Sequence, residues 1–243
     1  MKKSVPLSWL CFLMLLCAGC ASASPASGSS TNTHTTAQAQ PAQITYVAIG
    51  ASDTFGTGTR DPYNENWAAD LAGMLSPRIH LINLGIPSIR IHDALQAELP
   101  VALDSHPRLV TIWLAVNDLA NNVPIADYTR DLNTMISRLQ ASSPGVIIAV
   151  ANIPDLTVLP YFNNYDTQAL RQSIQQYNTA IASVVAQHRV ILVDLSAQNY
   201  NLQRHPEYIS DDGLHPNELG YQQIAKVFAA ALRPVLQRAG ITR

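Results

Sequence analysis

Hydrophobic positions along the chain follow two different rhythms. Five short runs are apolar or β-branched through most of their length: Ile44–Ile49, Ile79–Leu84, Leu109–Val116, Val146–Ala151 and Val190–Leu195. Between and after them lie longer segments with helical patterning, among them Asn66–Leu75, Ile89–Leu99, Ile125–Leu139, Gln168–Gln187 and Glu218–Arg238. Strands that are apolar on both faces must be covered on both faces, which suits a parallel sheet better than a half-wet antiparallel one. Alternation with helices makes the sheet doubly wound. The expected fold class is therefore α/β, a three-layer α/β/α sandwich with a five-stranded parallel sheet.

Residues before the first strand do not follow this pattern. Lys2 and Lys3 precede an apolar stretch from Trp9 to Leu16 and then Cys17-Ala18-Gly19-Cys20, the layout of a secretory leader and too short for a comfortable membrane span. Residues 21–43 are Ala, Ser, Thr, Gln, Gly and Pro, with His34 and Asn32 and without a formal charge or an aromatic ring. Such a stretch cannot bury a core and is expected to act as a tether. The expected organisation is a leader at residues 1–19, a tether at 20–43 and one domain at 44–243.

Composition narrows the chemistry. With 47% hydrophobic and 13% charged residues the chain is that of a packed globular protein, and its net charge of −2 provides no basic field for nucleic acid. All three cysteines, Cys11, Cys17 and Cys20, lie in the leader. A disulfide framework, a cysteine-held zinc and a cysteine nucleophile are thereby excluded from the domain.

The candidate chemistry lies where strands end. The first strand runs into Gly50-Ala51-Ser52-Asp53-Thr54, placing a serine at the carboxyl end of a parallel strand, where open α/β sheets hold their sites. This is not the G-x-S-x-G elbow, because Thr54 takes the last glycine position. Near the other end, Asp212-Gly213-Leu214-His215 can bring a carboxylate to the imidazole Nδ1 and leave Nε2 as a base for a serine hydroxyl. Gly85, after Asn83-Leu84, and Asn117, after Ala115-Val116, could supply donors to an oxyanion.

Ser52, Gly85, Asn117 and His215, in that order, resemble the four blocks of the SGNH, or GDSL-type, hydrolase superfamily, and the resemblance spans the whole domain. It implies Ser52 as nucleophile, His215 as base, Asp212 as its orienter, and Ser52, Gly85 and Asn117 as the oxyanion hole. Two positions depart from the usual pattern: Gly50-Ala51-Ser52-Asp53 replaces Gly-Asp-Ser-Leu, and Ala115 stands where glycine is usual. Ala18-Gly19-Cys20 likewise resembles a bacterial lipobox, which implies lipidation at Cys20 and an extracytoplasmic, membrane-anchored enzyme.

The expected activity is hydrolysis of carboxylic esters (lipid, lysophospholipid, thioester, short-chain or acyl-glycan) by a monomer without metal or organic cofactor. Its partners are a small or polymer-borne ester and, through the anchor, a membrane. Bland alternatives exist for each residue. Ser52 or Asp53 could merely cap a helix, and Gly85 and Asn117-Asp118 could be turn residues. His205, Asp211, Asp212 and His215 lack the spacing of a metal site. The rival from another class is an anchored lipid- or glycan-binding protein that uses the same cleft without catalysis.

Overall fold

The computed structural model describes residues 43–197 and 205–241. The leader, Cys20 and the tether up to residue 42 lie outside the described residues. Five strands, β1 (Ile44–Gly50), β2 (Ile79–Asn83), β3 (Leu109–Trp113), β4 (Ile147–Ala151) and β5 (Ile191–Val193), form one parallel sheet in the order β2-β1-β3-β4-β5. The helices are α1 (Ser52–Phe55), α2 (Trp67–Leu75), α3 (Ile91–Ala97), α4 (Leu99–Asp104), α5 (Val116–Ala120), α6 (Ile125–Ser142), α7 (Thr167–His188) and α8 (Glu218–Arg238).

Each central strand feeds two cores, as its uninterrupted apolarity requires. Val47, Ile49, Val110, Ile112, Ile148 and Val150 face the cluster that α3, α4, α6 and α7 complete. Tyr46, Ala48, Trp113 and Ala149 face the cluster of α2 and α8, where Trp67 stacks on Phe228 with ring centroids 4.1 Å apart. The expected three-layer sandwich is the fold observed.

Several boundaries differ from the sequence expectation. The run through Val116 stays buried, but the strand stops at Trp113, because Ala115 takes φ +112 and turns the chain into α5. The apolar pattern thus reports burial there rather than extension. The helix expected at Ile89–Leu99 is two helices broken at Glu98, with Pro100 in the first turn of the second. Proline has no N–H to donate, and a first helical turn is where that loss matters least. The order reverses between β1 and β3, the switch point at which doubly wound sheets open a crevice.

Candidate active site

Ser52 opens α1 directly after β1, and its Oγ lies 2.9 Å from His215 Nε2. His215 Nδ1 lies 2.6 Å from Asp212 Oδ2. The other carboxylate oxygen of Asp212 accepts from the N–H groups of Leu214 and His215, at 2.8 and 2.9 Å, and from the Ser210 hydroxyl at 2.8 Å. Partial burial pushes the Asp212 carboxyl up, but these hydrogen bonds, led by the one to His215, outweigh it and hold the group well below the usual carboxylate range. An ionised acceptor on Nδ1 is what directs the Nε2 lone pair at the serine.

The turn bearing Asp212 and His215 is built to be rigid. Ser210 N–H donates to the His215 carbonyl, Ile209 and Pro216 form an isolated antiparallel bridge, and Asn217 caps α8 through Gly220 N–H. Gly213 sits at φ +71, a left-handed conformation that favours glycine. Gly58, at φ +101, brings the loop after Ser52 against this turn, since a Cβ there would overlap the Pro216 carbonyl. Tyr221 Oη ties α8 to the same loop by donating to the Thr57 carbonyl at 2.7 Å.

Ser52, Asn117 and His215 line one cavity of about 770 Å³. Asn117 donates one amide hydrogen to the Ile89 carbonyl at 3.0 Å, which leaves its second hydrogen for the cavity. The next residue, Asp118, accepts from Ile91 N–H at 3.1 Å; burial raises its carboxyl to about 6 against the pull of that bond and of Arg90. α5 thus clamps the segment that starts α3. Asp53 also lines the cavity, and burial raises its carboxyl, with His215 lowering it and Asp212 raising it by smaller amounts.

The structure does not bring Gly85 to this cavity. Its N–H donates to Asn83 Oδ1 at 3.0 Å, and a Cβ on it would overlap the backbone of Thr54 and Phe55. The glycine serves close packing of the β2 end on α1. From this loop Pro87 and Ser88 line the cavity; Ser88, three positions on, is held at φ +67, and its N–H has no hydrogen-bond partner among the described residues. Sequence reading passed over Ser88 because a free backbone N–H has no side-chain signature; the only available signal was its place between Pro87 and the next helix.

The remaining wall is largely apolar: Val116, Leu119, Leu156, Leu159, Phe162 and Leu170 contribute, with Tyr161 and Tyr165 beside them. The segment after β4 shapes the pocket, and its Asp155 serves its own turn by accepting from Thr157 N–H. His205 pairs with Glu207 and stacks on Tyr208, apart from the Asp212–His215 pair. A larger cleft of about 1140 Å³, between the ends of α2 and α8, includes Arg78, Lys226 and Arg233 but no residue of the serine site.

A serine, a histidine and a carboxylate in hydrogen-bonded series at the switch point of a doubly wound sheet form the array of a hydrolase. The chain belongs to the GDSL-like lipase/acylhydrolase family, whose model matches residues 48–223, and it is a carboxylic ester hydrolase. It is 28% identical over 188 residues to an arylesterase of Vibrio mimicus, covering 74% of this chain and 84% of the relative. The fold is shared with the family 3 carbohydrate esterase of Clostridium thermocellum (TM-score 0.65, 21% identity, 81% of this chain and 98% of that one). It is shared also with the lipase/acylhydrolase of Enterococcus faecalis (TM-score 0.64, 21% identity, 79% and 96%).

Proposed function

We propose that the protein hydrolyses carboxylic esters through an acyl-enzyme on Ser52. The observation that carries this is the unbroken series Ser52 Oγ, His215 Nε2, His215 Nδ1, Asp212, with separations of 2.9 and 2.6 Å. Ser52 Oγ attacks the ester carbonyl while His215 Nε2 takes its proton. The oxyanion receives hydrogen bonds from the N–H groups of Ser52 and Ser88 and from Asn117 Nδ2, with Ser88 replacing Gly85 in this role. Collapse expels the alcohol, which leaves with the proton from Nε2. Water then repeats the sequence on the acyl-serine and releases the acid.

The cavity supports a preference among esters. Its apolar wall suits an extended acyl group better than acetate, because buried apolar area grows with each methylene. Asp53, Asp155 and Asp166 line it, and no Lys or Arg does among the described residues. An uncharged alcohol is thus favoured over a phospholipid headgroup or a coenzyme A thioester. Export, lipidation of Cys20 and attachment to a membrane complete the proposal, on the strength of the leader and tether.

A fluorophosphonate probe and a series of p-nitrophenyl esters from acetate to dodecanoate test both parts. The expected result is labelling and turnover that vanish in Ser52→Ala, with kcat/KM for octanoate about tenfold or more above acetate. A folded wild-type protein that neither labels nor turns over any ester would falsify the catalytic reading. Highest activity on acetate would overturn the preference alone.

A further inference from the structure

Three acidic side chains are almost wholly buried in the described domain, and two have evident partners. Asp131 pairs with Arg130 and His92, and Asp118 receives the first N–H of α3. Glu98, 1% exposed at the junction of α3 and α4, has no cation paired with it among the described residues. Its Oε1 accepts from Gly50 N–H at 3.4 Å, and its Oε2 is buried without a partner among the described residues. A half-satisfied buried carboxyl costs stability, and an apolar residue of similar size would fill the same space without that cost. Packing alone does not account for a glutamate here.

What Glu98 touches is the last peptide before the nucleophile turn. Gly50 ends β1, its carbonyl accepts from Ile86 N–H at 3.0 Å, and its N–H turns to Glu98. Ile86 starts the segment that carries Ser88. Ala51 offers no polar side chain to brace the turn, and α1 has no side-chain cap at that position. Thr54 fills the space against Gly50 so closely that a Cβ on the glycine would overlap its hydroxyl. The strand end is therefore gripped by packing from one direction and by Glu98 and Ile86 at its two polar groups.

We infer that Glu98 is a positioning residue for the reaction, holding the Gly50 peptide so that Ser52 Oγ and the Ser88 N–H keep their mutual geometry; the role rests on Ser52 being the nucleophile. Burial raises the Glu98 carboxyl to about 9, against the pull of the Gly50 N–H, so the group is neutral at ordinary pH and acts as an acceptor rather than as a charge. Glutamine can supply the same acceptor from the same shape. Methionine fills the space and supplies none, and aspartate withdraws the acceptor by one methylene.

The test measures kcat, KM, melting temperature and the fluorophosphonate labelling rate of wild type, E98Q, E98M and E98D on one ester. E98Q is expected to keep kcat within about twofold, while E98M stays folded, keeps KM within about twofold and loses about 10- to 100-fold in kcat and labelling rate. A folded E98M with wild-type kcat overturns the inference. Should E98M fail to fold, E98D decides: a folded E98D at wild-type kcat overturns it equally, and a lowered kcat at unchanged KM supports it. Loss of kcat in E98Q as large as in E98M would also overturn it, since the acceptor would then not be what matters. Activity surviving in Ser52→Ala is a different failure, that of the nucleophile assignment.

Discussion

His215 Nε2 is a ready acceptor when the ring's own hydrogen sits on Nδ1, and the short contact to Asp212 favours that tautomer and fixes the ring. The proposed oxyanion hole is less symmetrical, with two donors in the backbone and one on Asn117. Because a single such donor contributes about 10²- to 10³-fold in rate, Asn117→Ala is expected to lower kcat by that factor, while loss of its bond to Ile89 costs only about 1 kcal/mol of stability. Steady-state kinetics beside a urea titration separates the two effects. Ser88 shows the converse. Its φ of +67 suits glycine better, so Ser88→Gly is expected to raise stability by up to about 1 kcal/mol in the same titration. That Ser52, Asp212, His215 and Asn117 would come together was legible from sequence because their polar groups are side chains. Ser88 was not, because the group it presents belongs to every residue but proline, and only the path of the loop decides where that group points.

Short elements do most of the positioning. α5, five residues long, sends Asn117 and Asp118 onto the same segment before α3, and Ala115 at φ +112 sets the angle at which α5 leaves β3. Asp118→Ala leaves the buried Ile91 N–H without an acceptor. It is therefore expected to cost about 1–3 kcal/mol and to lower kcat as well, because the segment that loosens carries Ser88. Thermal melting and ester turnover of the same preparation check this. α1 and α5 escaped the sequence reading because four or five residues hold too few apolar positions to show a period. The break at Glu98 did carry a local signal, Pro100 two positions on, but the apolar spacing runs through it and reads as one helix.

Two buried or bonded carboxyls give the whole molecule opposite dependences on pH. Glu98 titrates near 9 when folded against about 4.5 when unfolded. The native state keeps a proton that the unfolded chain releases, so this contribution is complete below about pH 4.5 and is lost as pH rises to about 9, at about 1.4 kcal/mol per unit. Asp212 is lowered by its hydrogen bonds, so its contribution is present above the ordinary carboxylate range and is lost as pH falls through and below it. Urea titrations at pH 5, 7 and 9 should show wild type losing stability relative to E98Q as pH rises. Parallel curves for the two proteins would mean that Glu98 is ionised in the native state. The same titrations report on the cores, since α2, α8 and the Trp67–Phe228 stack close one face of the sheet while α3, α4, α6 and α7 close the other.

Sequence alone determined the class of fold and singled out the serine, histidine and aspartate that the structure joins in one hydrogen-bonded series. Uniformly apolar strands admit only a sheet covered on both faces, and an aspartate three residues before a histidine is close enough along the chain for the pair to form locally. The tertiary structure decided what depends on distant segments meeting: that Ser52 reaches His215 across 163 positions, that Ser88 rather than Gly85 faces the cavity, and that Glu98 comes to rest on Gly50. Those contacts follow from strand order and loop path, which are set by packing the two cores and have no local signature in the chain.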